Sequence, residues 1–122
     1  MDFRSISLPV SNAIFFIFGS DSKDTPEIKK GSSIWSTPTC IAVGCTPDVD
    51  GETKITIGAS RQVGLEEIPA FDGELETPSR MVGVEVVPRK RVLEQPVPGS
   101  RTRVRIWVNH PIEPDNIVIG LN

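Results

Sequence analysis

The sequence predicts an all-β protein, an antiparallel β-sandwich of about eight strands, with a small β-barrel as the alternative closure. Three observations predict it. Apolar and polar residues alternate with period two along most of the chain, the spacing that turns one strand face to a core and the other to solvent. Turn signals recur about every ten residues, with no full-length helical pattern between them. The 11 prolines each remove a ladder donor and so mark strand ends, corners and edges.

Taken in order, Ile6, Leu8 and Val10 alternate with Ser5, Ser7 and Pro9, and Pro9 predicts an edge strand or an early end. Residues 12–18 form a continuous apolar run, as in a strand buried on both faces or crossing between sheets. Residues 19–33 (GSDSKDTPEIKKGSS) are polar, and Thr25, Pro26 and Glu27 carry the one helical hint, a short turn with Pro at its first position. Residues 39–45 and 53–59 are β-rich runs joined by TPDVDGE, which reads as a hairpin with a long loop. In the second arm Ile55, Ile57 and Ala59 face inward while Lys54, Thr56 and Gly58 face outward.

Residues 61–70 show no clear pattern, and residues 71–77 form a short strand ending at Pro78. Val82, Val84 and Val86 alternate up to Pro88. Residues 92–97 then lead through Pro98-Gly99, a turn dipeptide, into the alternating residues 102–109, so this pair reads as the clearest hairpin. Ile117, Ile119 and Leu121 form the last strand. No linker and no internal repeat divides the chain, which reads as one β domain over residues 1–122.

Composition narrows function. A chain of 122 residues can bury a core without metal or disulfide. With 13 basic against 16 acidic side chains, a formal charge of −3 excludes a globally basic nucleic-acid binder. The longest apolar stretch, residues 13–18, is far short of the ~20 residues of a membrane-spanning helix. Pro9, Ser11 and Asn12 interrupt a signal-like pattern, and a start at Met1 favours an uncleaved, cytoplasmic protein.

Chemistry is sparse. Cys40 and Cys45 lie five apart on an extended run, on opposite faces, and read as two reduced core thiols; one remote His does not complete a zinc site. His110, with Glu113 and Asp115 nearby, has the residue types of a general base, but VNHPIEPD is equally the composition of a loop. Asp48, Asp50 and Glu52 around Gly51 resemble a cation loop, yet Lys54 intrudes and the distal ligands are missing. The expectation is no metal, no cofactor and no catalysis.

Charge is segregated along the chain. Residues 62–79 hold five acids (Glu66, Glu67, Asp72, Glu74, Glu76) and no base, while residues 80–105 hold seven bases against two acids. Arg101, Arg103, Arg105 and Trp107 share parity on one strand, so they line one face opposite Val104, Ile106 and Val108. Across the Pro98-Gly99 turn, Arg89 and Arg91 join that face if the register pairs like parity. Guanidiniums beside an indole suit an anionic partner. The acidic stretch suits a basic one.

The layout carries one resemblance. An ISLPVSNAIFFIF run is followed by an acidic loop (DSKDTPE), then by IWSTPTCIAVGC and TKITIGAS. VGVEVVP comes next, and last VLEQPVPGSRTRVRIWV with its apolar, Pro-Gly, strand ending. This order resembles the bacterial competence protein J family, small β-sandwich proteins that partner and inhibit a DNA-entry nuclease. It spans nearly the whole chain, although the family's frequent aromatic after the Pro-Gly turn is Arg101 or Thr102 here. The resemblance implies a non-catalytic inhibitor and carries over no functional residue.

The sequence therefore points to a non-catalytic, protein-binding module, an inhibitor or immunity-like partner of a nuclease or other enzyme, with no role for membrane or nucleic acid. The alternative is a small-molecule or anion-binding β-barrel in which Arg103, Arg105 and Trp107 face a pocket.

Overall fold

The computed structural model describes residues 3–21 and 24–122. Among the described residues ten strands form: β1 (Phe3–Leu8), β2 (Ile14–Phe18), β3 (Ile34–Ser36), β4 (Cys40–Gly44), β5 (Thr53–Ala59), β6 (Phe71–Glu76), β7 (Met81–Val86), β8 (Lys90–Pro96), β9 (Arg101–Val108) and β10 (Asn116–Leu121). One four-residue helix, α1 (Ser60–Val63), follows β5. The strands make two five-stranded sheets, ordered β1-β5-β10-β9-β6 and β3-β4-β2-β7-β8. The architecture is a sandwich, not a closed barrel. The strand beyond the expected set is β3, whose three residues are too few to display alternation.

The inward positions of both sheets meet in one core. Phe15, Ile17, Ile41, Val43, Val82 and Val84 come from one sheet, and Ile55, Ile57, Val104, Ile106, Ile117 and Ile119 from the other, all fully buried. Burying each such side chain contributes roughly 1.5–3 kcal/mol. β2 is central in its sheet and buried on its outer side too, where Phe18 and its neighbours Cys40, Ala42 and Gly83 are covered. The apolar run of residues 13–18 reflects that central position, with the outer side half-buried at Ile14 and Phe16 and closed at Phe18. β1 is an edge strand, as Pro9 predicts.

Several local expectations are corrected. Residues 24–29 form no helical turn and no strand; Pro26 is buried, and the Trp35 indole N–H donates to the Lys29 carbonyl at 2.9 Å. β4 and β5 are not a hairpin, because they belong to opposite sheets and the TPDVDGE loop crosses between them. β8 and β9 are likewise in opposite sheets, and the hairpin at that point is β7–β8. Pro98-Gly99 turns a corner instead, with the Thr77 hydroxyl donating to the Gly99 carbonyl at 2.8 Å and lying 2.9 Å from the Thr102 hydroxyl. Finally, β10 runs antiparallel to β9 but parallel to β5. Strands entering one sheet from separate crossovers have no local turn to set their direction, so alternation alone predicts strands but not their sense.

Candidate functional site

β9 presents Arg101, Arg103, Arg105 and Trp107 on the outer side of its sheet, opposite the buried Thr102, Val104 and Ile106. Its neighbour is the edge strand β6, in a register that sets Asp72 against Arg105, Glu74 against Arg103 and Glu76 against Arg101. The acidic and basic stretches, separate in sequence, are thus zipped together in space. Each ion pair runs one step along the diagonal. Arg103 donates through Nε and Nη2 to the two Asp72 oxygens at 2.9 and 2.7 Å, and Arg101 Nη1 reaches Glu74 Oε1 at 3.3 Å. Hydrogen bonding from Arg103 holds the Asp72 carboxyl below the usual carboxylate range, and the same contact raises Arg103. Arg105 lies over the Trp107 ring, 5.6 Å from its centroid.

Three expectations about this surface change. Trp107 is on the expected side but only 3% exposed, because α1 and the loop after it fold over the ring. Its Nε1 donates to the Glu67 carbonyl at 2.9 Å, and a Cβ on Gly120 would stand 2.9 Å from the ring and 2.7 Å from Ser60 Oγ. The glycine is what lets α1 approach. Glu66 and Glu67 are exposed on that covering loop. Arg89 and Arg91 lie on the other sheet: Arg89 is exposed in the β7–β8 turn, and Arg91 binds the buried Glu85 at 2.8 Å and Glu94 at 3.1 Å. They do not join the β9 face, because the parity argument presupposed a β8–β9 hairpin. Nor does the recess beside Arg105 bring Arg103 and Trp107 together. Arg105 borders a recess of about 200 Å³ with Ser60, Arg61 and Asn122, and neither Arg103 nor Trp107 lines it.

His110 is a loop brace. Its Nδ1 accepts the backbone N–H groups of Ile112 and Glu113, each at 3.1 Å, while Asn109 Oδ1 accepts those of Asp115 and Asn116. Among the described residues no group of three or more His, Cys, Asp or Glu side chains is arranged to hold a metal ion. Both cysteines are free and buried, and burial pushes the Cys40 thiol up to about 12 and the Cys45 thiol up to about 11. No helix among the described residues is long and apolar enough to cross a membrane.

The sequence reading missed one end of the sandwich. Residues 45–52 and 109–115 are laced together there: the Thr46 N–H donates to the Pro114 carbonyl and the Thr46 hydroxyl to the Glu113 carbonyl, both at 2.9 Å, and the Lys54 N–H donates to the Asp115 carbonyl at 2.8 Å. This end exposes Asp48, Asp50, Glu52, Glu113 and Asp115. It also exposes two aliphatic side chains, Val49 at 86% and Ile112 at 70%. An open groove of about 650 Å³ runs from Ile112 and Glu113 past Ala13 and Gly44 to Trp35. The signal in the sequence was a single aliphatic inside each of two polar turns, DVD and HPIEP.

No protein-family model matches the sequence, and no curated protein matches it. A solved structure does: the crystal structure of ComJ, inhibitor of the DNA degrading activity of NucA, from Bacillus subtilis. The chain has a ComJ-like fold. The match covers 99% of this chain and 96% of ComJ with a TM-score of 0.71, at 14% sequence identity. The resemblance expected from the layout is met at the level of the fold, and the low identity explains why layout carried it when residue identities did not.

Proposed function

We propose that the chain is a non-catalytic protein that binds and inhibits a DNA-degrading enzyme. The observation that carries this reading is the end-to-end ComJ-like fold, since ComJ inhibits the DNA-degrading activity of NucA. Two features of the chain agree with it. Its single histidine is engaged in a turn, and its exposed carboxylates and net charge of −3 suit a basic protein partner, of the kind that binds DNA.

The test is degradation of plasmid DNA by purified NucA in the presence of increasing amounts of this chain. Expected is suppression of cleavage at near-stoichiometric ratios, with complex formation by size-exclusion chromatography. Unchanged cleavage with the chain in a hundredfold excess overturns the reading.

A further inference from the structure

We propose that the end of the sandwich formed by residues 45–52 and 109–115 is the docking surface, and that it receives the basic, DNA-binding face of the enzyme. The proposal rests on the inhibitor reading above and adds the surface, its anchors and the chemistry of the partner.

Two independent features meet at this end. The first is exposed apolar surface beside a groove. Val49 and Ile112 are 86% and 70% exposed, and the groove next to Ile112 leads to the half-buried Trp35. These side chains stand on braced backbone, not on loose loops: Thr46 binds residues 113 and 114, and Asn109 and His110 bind the N–H groups around their turn. Anchors already fixed in place lose little conformational freedom on binding. The second feature is charge. Asp48, Asp50, Glu52, Glu113 and Asp115 surround the anchors, and among the described residues no Lys or Arg forms an ion pair with any of them. On β6 and β9, by contrast, Asp72 and Glu74 are neutralised by Arg103 and Arg101.

The occupant follows from this combination. An apolar centre with a charged rim is the anatomy of a protein interface, and unpaired carboxylates attract a basic surface and steer its approach. An enzyme that acts on DNA carries such a surface, because it neutralises phosphates with Lys and Arg. The same carboxylates repel nucleic acid, so the partner at this end is the enzyme and not its substrate. Occupying the enzyme's phosphate-binding face would block DNA entry without any chemistry from the inhibitor.

The test compares variants as inhibitors of NucA on plasmid DNA. V49S/I112S is expected to raise the inhibition constant at least tenfold, and D48N/D50N/E113Q is expected to do the same while flattening the salt dependence of association. All five positions are exposed, and a thermal midpoint unchanged from the parent chain confirms folding. D72N/R103Q, on the neutralised face, is expected to inhibit within threefold of the parent. If the parent chain inhibits and both multiple variants inhibit equally well, the docking surface is overturned and the inhibitor reading stands. If the parent chain itself does not inhibit, the inhibitor reading has failed.

Discussion

Arg103 and Asp72 meet one register step off the direct cross-strand pairing, with Nε donating to one carboxylate oxygen at 2.9 Å and Nη2 to the other at 2.7 Å. The diagonal leaves Glu76 and Arg105 at opposite ends of the stripe without an ion-pair partner among the described residues. A stripe built this way has alternating sign, and its field cancels at a distance instead of steering a partner.

The Asp72 carboxyl should therefore titrate below the usual carboxylate range in a side-chain NMR titration, and Arg103→Gln should return it toward the ordinary value. A lowered folded-state pKa contributes stability that is present above the unfolded-state value and is lost as pH falls through the folded one. The stability gap between the parent chain and Asp72→Asn should accordingly be small near neutrality, because both partners are solvent-screened, and should close in acid. An Asp72 that titrates as a free carboxylate would remove the pairing.

Gly120→Ala should lift the cover from Trp107. The new Cβ would meet Ser60 Oγ at 2.7 Å, the indole at 2.9 Å and Ser60 Cα at 3.2 Å. Two of those neighbours belong to a helix that Gly64 caps through its bond to the Ser60 carbonyl, so it must move as a unit. Overpacking of this kind costs about 1–3 kcal/mol. The expected readout is a lower unfolding midpoint together with red-shifted tryptophan emission, with Trp35→Phe as background to isolate the Trp107 signal. Unchanged emission would mean that the helix does not shield the ring.

The Arg91 guanidinium covers Gly83 and closes over Glu85, which is 8% exposed. Arg91→Ala should destabilise by about 1–3 kcal/mol, because it strands a buried carboxylate, an effect moderated by the partial exposure of the pair. Adding Glu85→Gln should recover much of the loss, since an amide is less costly to leave without its cation. Gly83→Ala should mimic Arg91→Ala, because its Cβ would occupy the guanidinium's place. Chemical denaturation of the four proteins checks all three statements.

How much of this was legible beforehand depends on range. Period-two patterning located β5, β7, β9 and β10 because each has one strongly apolar face, and the apolar run up to Phe18 marked a central strand whose inner side is fully buried and whose outer side is half-buried at Ile14 and Phe16 and buried at Phe18. Pairing was a different matter. Pro98-Gly99 looks the same whether it turns a hairpin or a corner between sheets, and only the fold shows that Arg91 and Arg101 are on different layers. Parity within β9 does place Arg101, Arg103, Arg105 and Trp107 on one side, since it depends on one strand only. That the acids at 72–76 and the bases at 101–105 face each other is not visible in one dimension, because they are neighbours only through the β6–β9 register. The acidic end is hidden for the converse reason: residues 48–52 read as a separate cation-like loop and residues 113–115 as carboxylates beside His110, and they become one surface only when Thr46 joins them.

The two thiols give a prediction at alkaline pH. Burial is the main cause raising Cys40 to about 12 and Cys45 to about 11; Glu85 adds to the rise at Cys40, while the Thr53 hydroxyl opposes it at Cys45. A raised folded-state pKa contributes stability that is complete below the unfolded value, near 9, and declines as pH rises from there toward the folded values. Between pH 9 and 11 the unfolded chain releases protons that the folded chain keeps, so stability should fall with a slope of about 1.4 kcal/mol per pH unit for each thiol. Cys40→Ala/Cys45→Ala should show a shallower decline over that window in urea unfolding. In the parent chain both thiols should resist alkylation at neutral pH until denaturant is added, and rapid labelling of the folded protein would contradict their burial.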